Sequence, residues 1–171
     1  MFPKSSLRAI SKAFLSGLID ANTSREHLKE EMLIACWKGY PYENYRKLAE
    51  EYSLSQIEKN LIPLAMKVFQ HHIEHGDRVA IVSASLREWI EPWAKCVGDI
   101  LVIATEIERV DGFLTGRLAS KNCRGIEKVH RINAALRLTD YERIYAYGNS
   151  NGDREMLKIA DECVYRWNGS R

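Results

Sequence analysis

The sequence predicts an α/β fold built on a parallel sheet, and three observations carry that expectation. Arg78–Ser83 (RVAIVS) and Ile100–Ala104 are short, β-branched and almost wholly apolar, as strands buried on both faces should be. Segments with helical spacing of apolar residues separate these runs from two later ones, Arg143–Tyr147 and Cys163–Arg166, so strand and helix alternate. The first sixty residues read as helices only. The expected organisation is therefore a helical region over residues 1–60 and an α/β core over 61–171.

Taken in order, Leu7, Ile10, Phe14, Leu15 and Leu18 recur at helical spacing. Thr23 or Ser24 can cap a second helix, with Glu26 and Glu30 in its early turns and Leu28, Met32 and Leu33 on its apolar side. Gly39-Tyr40-Pro41 breaks it, and Tyr45, Leu48, Ala49 and Tyr52 mark a third helix. A fourth runs from Leu61 to His75 and stops at Gly76, a residue suited to a helix C-terminus. After the RVAIVS strand, a helix passes through Trp89 and Trp93 to Val97, and Ile100–Ala104 follows as a strand. Asp111-Gly112, between Glu106–Val110 and Phe113–Leu118, is a strong hairpin signal. Glu127–Leu136 and Arg154–Ala160 read as helices around the Arg143–Tyr147 strand and the polar turn Gly148–Asp153.

Composition excludes several classes of protein. The 171 residues carry 25 Lys plus Arg against 23 Asp plus Glu, a net charge of +2, with 46% hydrophobic and 28% charged residues. That balance is globular, and its mixed charges give no basic stripe for nucleic acid. Cys36, Cys96, Cys123 and Cys163 form no CxxC pair or zinc spacing, and read as reduced thiols. No apolar run approaches the ~18 residues of a spanning helix, and Met1-Phe2-Pro3-Lys4 opens no signal core. The expectation is a cytoplasmic protein with no membrane span and no nucleic-acid partner.

Two strand ends concentrate the chemistry. In open α/β sheets, ligands bind beyond the carboxyl ends of the strands. Ser83-Ala84-Ser85 follows the RVAIV run and is expected to open a helix, which suits either phosphate binding or plain N-capping. Gly148-Asn149-Ser150-Asn151-Gly152-Asp153 sets small residues and one carboxylate in a tight turn, either to approach a cation or phosphate or to cap the next helix. Lys121 and Lys128 lie between them, the latter in Gly125-Ile126-Glu127-Lys128, where a lysine can neutralise phosphate charge or simply face solvent.

The order strand-Ser, Asp-Gly-Phe-Leu-Thr-Gly-Arg-Leu hairpin, Gly-x-x-Lys, strand-Gly-Asn-Ser-x-x-Asp-x-x-Met-Leu resembles the haloacid dehalogenase superfamily, specifically its phosphoserine-phosphatase-like branch. The resemblance covers nearly the whole chain and is strongest from Gly76 to Ala160. It implies a Rossmann-like parallel sheet with a helical cap. It also implies a Mg2+-dependent phosphatase in which an Asp attacks the phosphoryl group and water hydrolyses the aspartyl-phosphate. A second Asp, two residues on, acts as acid and base. By that resemblance Ser83 is the hydroxyl that bonds the phosphate, Lys128 the phosphate-binding lysine with Lys121 a weaker candidate, and Asp153 the second acidic position of the last motif. The first acidic position, a Mg2+ ligand, falls on Asn149, whose neutral oxygen should bind the ion more weakly. The substrate implied is a small phosphorylated metabolite or lipid headgroup phosphate.

The nucleophile motif of the family, a buried strand ending Asp-x-Asp-x-Thr, has no clear match. Leu18-Ile19-Asp20-Ala21-Asn22-Thr23-Ser24 is its sole echo, but the residues before Asp20 have helical periodicity and Asn22 is no acid/base; a helix-helix turn capped by Asp20 reads better. In the family fold this strand lies between those matching Arg78–Ser83 and Arg143–Tyr147. Two buried edges would be left open without it, so the sequence is expected to lack a strand through truncation and to be inactive as it stands. The alternative is a non-catalytic module that binds a phosphate ligand. His71 and His75, four apart beside His72, could share a metal or form a half-exposed face. Trp37, Trp89, Trp93 and Trp167 are expected to pack as anchors, with Trp37, Tyr40 and Tyr42 as candidate substrate contacts.

Overall fold

The computed structural model describes residues 25–166. The helix expected over Leu7–Leu18, the Asp20 segment, the Thr23/Ser24 cap and Trp167 lie outside the described residues. The described chain forms two compact units, 25–47 with 106–120 and 48–105 with 121–166. The hairpin thus groups with the front helices, and residues 48–60 group with the α/β part.

In the first unit, helix α1 (Arg25–Trp37) buries Leu33 and Trp37, four residues apart and so on one side of the helix. Met32, expected on that side, is 47% exposed, because one residue back from Leu33 is a turn of roughly 100° away. The helix ends at Gly39, whose φ of 78° a side chain would resist and whose N–H donates to Leu114 O at 2.8 Å. Trp37 packs edge-on against Tyr40 and Tyr45, with centroids 5.4 and 4.9 Å away. Tyr45, on helix α2 (Tyr42–Gln56), is fully buried. Strands β3 (Ile107–Val110) and β4 (Phe113–Leu118) pair antiparallel through Asp111-Gly112. Both turn residues have positive φ, 50° and 82°, as a type I′ turn requires.

The second unit holds helix α3 (Pro63–Glu74), strand β1 (Ala80–Leu86), helix α4 (Glu91–Val97) and strand β2 (Leu101–Thr105). Helix α5 (Ile126–Ala135), strand β5 (Tyr145–Gly148), helix α6 (Arg154–Leu157) and strand β6 (Glu162–Tyr165) follow. Pro63, with no N–H to lose, takes the first turn of α3, which therefore starts two residues later than expected. Parallel pairing of β1 with β2 runs from Ala80↔Leu101 to Ser83↔Ala104, and β5 pairs parallel with β6. Alternation along β1 and β2 makes two cores. Ile81, Val102 and Ala104 pack with Trp93, Ala94 and Phe69, while Val82, Leu101 and Ile103 pack with Cys123, Ile132 and Met156.

Two expectations for β1 need correction. Ser83-Ala84-Ser85 does not open a helix: the strand runs on to Leu86, and a short 3-10 turn, Arg87–Trp89, precedes α4. Nor is β1 buried on all sides. It is half-buried where β2 is almost fully buried, because among the described residues β1 and β5 each pair on one side only. Among the described residues no strand joins them, and a cleft of about 800 Å³ lies along both. The backbone direction follows from the ladder bonds. Val79 O accepts from Leu101 N, so Val79, Ile81 and Ser83 face β2 while Ala80 and Val82 face the cleft. Ile144 O and Gly148 O accept from the β6 side, so Tyr145 and Tyr147 present their backbone away from β6.

Helix α3 is tied to β5 by a side-chain chain. His72 Nδ1 lies 2.6 Å from Asp77 Oδ2, and its Nε2 lies 2.8 Å from the Tyr147 hydroxyl. His71 and His75 stack at 3.9 Å, and the described residues hold no group of three or more metal-ligating His, Cys, Asp or Glu.

Candidate active-site cleft

The cleft gathers the carboxyl ends of β1 and β5. Ser83, Asn149, Lys128 and Asp153 all line it. Ser83 is 45 or more residues from the other three in the chain, and the cleft brings together the carboxyl ends of two separate parallel strand pairs.

Lys128 and Asp153 are the centre of the site. Lys128 is 6% exposed and Asp153 7% exposed. Lys128 Nζ donates to Asp153 Oδ1 and to Val82 O, each at 2.6 Å. One ammonium therefore links the cleft-facing edge of β1 to the loop after β5. Asp153 Oδ2 accepts from Ser150 Oγ at 2.7 Å, Ser150 N at 2.9 Å and Asn149 N at 3.2 Å. With Ser150 this completes a capping box on the short 3-10 turn Asn151–Asp153, so capping and site geometry coincide. Burial opposes ionisation of Asp153, yet the donors from Lys128 and Ser150 outweigh it and hold its carboxyl below the usual carboxylate range. Gly148 makes room for this: a Cβ there would sit 2.6 Å from Asp153 Cβ.

Ser83 Oγ accepts the Ser85 N–H at 3.1 Å, which leaves its own proton free to point into the cleft. Asn149 is exposed at the cleft rim. Lys121 is exposed and lies outside the lining; its carbonyl accepts from Arg131, which also donates to Ala104 O at 2.6 Å.

Mg2+ prefers six oxygen ligands, drawn from one or two carboxylates, waters and phosphate. The described residues offer Asn149 as one open, neutral oxygen. Asp153 accepts three hydrogen bonds at one oxygen and has an ammonium against the other. These residues alone do not make a Mg2+ site.

Sequence reasoning passed over the loop that carries Lys128. Thr105, fully buried at the end of β2, lies 3.0 Å from Ala84 O and 3.1 Å from Asn122 Oδ1, and accepts the Cys123 N–H at 3.0 Å. Cys123 is also fully buried, and its thiol is pushed up by that burial. Asn122-Cys123, separated from Gly-x-x-Lys by Arg124 alone, was the available signal. Arg124, next along, lines the cleft and was also missed.

A sequence profile described as haloacid dehalogenase-like hydrolase matches residues 3–158. The chain belongs to that family. This haloacid dehalogenase-like chain is 32% identical over 158 residues to protein CicA of Caulobacter vibrioides (strain NA1000 / CB15N), covering 92% of this chain and 70% of that one. It is 31% identical over 97 residues to phosphoserine phosphatase SerB1 of Mycobacterium tuberculosis (strain ATCC 25618 / H37Rv), covering 56% of this chain and 32% of the relative. The crystal structure of a protein with unknown function from Bordetella pertussis Tohama I matches with a TM-score of 0.71 at 26% identity, over 92% of this chain and 70% of that one. Among the described residues, no helix is long and apolar enough to cross a membrane.

Proposed function

We propose that this chain is the cap and most of the core of a phosphatase for small phosphomonoesters, and that a strand from outside residues 25–166 takes the place between β1 and β5. The observation that carries the reading is Lys128, buried between Val82 O and Asp153 at the end of a cleft with strand edges on both sides. Val82 O faces the cleft, and an inserted parallel strand would offer it a backbone N–H. Lys128 Nζ would then be released toward a phosphate, still held by Asp153.

In the reaction the resemblance implies, a carboxylate oxygen on the inserted strand attacks phosphorus. The P–O bond to the leaving group breaks, and the leaving oxygen takes a proton from a neighbouring acid. Water then attacks phosphorus, giving a proton back to that same acid, the acyl-phosphate P–O bond breaks, and inorganic phosphate and the free carboxylate are released. Ser83 donates its hydroxyl proton to a non-bridging oxygen, and Lys128 balances the charge that builds there. Asp153 keeps Lys128 aimed. The acidic residues that line the cleft, Asp77 and Asp153, already hold His72 and Lys128, so neither is placed to serve as nucleophile. By the same resemblance, the helical region over residues 1–60 is the cap.

The test is hydrolysis of p-nitrophenyl phosphate. The 171-residue chain should give no turnover, and a version extended by an apolar strand ending Asp-x-Asp should give turnover that Ser83→Ala removes. Turnover by the unextended chain that depends on Ser83 would overturn the proposed source of the nucleophile. Phosphate binding without hydrolysis in the extended version would favour a non-catalytic phosphate-binding module.

A further inference from the structure

Every basic side chain that lines the cleft, with one exception, already faces a carboxylate. His72 lies against Asp77, Arg78 against Asp99, Lys128 against Asp153 and Arg143 against Glu162. The exception is Arg124, whose guanidinium has no carboxylate or carbonyl partner among the described residues. With Lys128 cancelled by Asp153, Arg124 is the uncompensated positive charge beside the loop after β5.

Its position is built. Arg124 follows Asn122 and Cys123, both buried and tied to Thr105 at the end of β2. The next residue, Gly125, donates its N–H to Gly152 O at 2.9 Å, which locks this loop to the one carrying Asp153. The Arg124 side chain lies directly on Gly152. A Cβ at Gly152 would sit 2.7 Å from Arg124 Cγ and 3.1 Å from its Nε. The missing side chain at 152 is therefore the space in which Arg124 lies.

We infer that Arg124 is an anion-binding residue of this cleft, receiving anionic oxygens of a phosphomonoester through its guanidinium fork. The inference rests on the reading of the cleft as a phosphate site, but not on catalysis. A guanidinium matches phosphate and carboxylate oxygens in pairs, which a lysine ammonium does not. The oxygens have two sources, the phosphoryl group itself or a second acidic group on the same substrate.

Calorimetric titration of the 171-residue chain with inorganic phosphate and with phosphoglycolate separates them. Arg124→Ala should weaken binding about tenfold or more. Loss with both probes assigns the phosphoryl oxygens, and loss with phosphoglycolate alone assigns the second acidic group. Arg124→Lys should recover part of the affinity, and Gly152→Ala should weaken it by displacing the side chain. Unchanged affinity for both probes in Arg124→Ala, or no binding of either by the unaltered chain, overturns the inference. The hydrolytic reading fails separately, through an extended version that binds phosphate normally but turns over no p-nitrophenyl phosphate.

Discussion

Lys128 and Asp153 show how one pair can hold a fold and a site together. Breaking a buried pair is costly because the remaining charge loses its partner. Asp153 keeps its Ser150 and Asn149 donors, so Lys128→Met should cost about 3 kcal/mol, the low end for such pairs, in urea unfolding. A loss below about 1 kcal/mol would mean the pair is not structural. The pH dependence follows from the lowered pKa of Asp153. Folding favours its ionised form, so its contribution is complete above the unfolded value, about pH 4, and fades as pH falls through the folded value. Asp153→Asn should flatten the acid side of the stability curve between those limits. Cys123, buried and shifted up, should resist a thiol reagent at pH 8 in the folded chain, while exposed Cys96 and Cys163 react. Rapid labelling of all of them would contradict the burial of the Asn122–Gly125 loop.

At the scale of elements, α1 rests on β4 at Gly116. A Cβ there would lie 2.5 Å from Ile34 Cα, and the glycine φ is +81°. Gly116→Ala should therefore destabilise by about 2 kcal/mol or more, read as a lower Tm, with two causes that add. A neutral substitution would show that α1 can move off the hairpin. The elements themselves were largely legible. Helical spacing marked α1, α2, α3 and α5, and Asp-Gly marked the hairpin turn. Edges were less legible: β1 runs three residues past Ser83, since a Ser-Ala-Ser run carries no signal to separate strand from helix start. Met32 was placed on the wrong side of α1 because three neighbouring apolar residues fit two adjacent stripes.

For the molecule as a whole, the cleft between β1 and β5 is the main consequence of the fold. A strand that fills it should bind with main-chain hydrogen bonds to both edges. The version extended by such a strand should unfold at a higher Tm than the 171-residue chain. An equal or lower Tm would mean the strand does not enter the cleft. Millimolar Mg2+ should leave the Tm of the 171-residue chain unchanged, since its described residues offer one open neutral oxygen; a clear rise would reveal ligands elsewhere in the chain.

The order of motifs was enough to bring Ser83, Lys128, Asn149 and Asp153 into one reading, because parallel strands deliver their carboxyl ends to one edge of a sheet. The sequence by itself determined that alternation, the hairpin turn and the polar loops, since each depends on local periodicity or backbone freedom. The tertiary structure alone decided which charges remain uncompensated. Lys128 and Arg124 look alike as isolated basic residues, and what separates them is a carboxylate 25 residues away from Lys128 in the chain and 2.6 Å away in space.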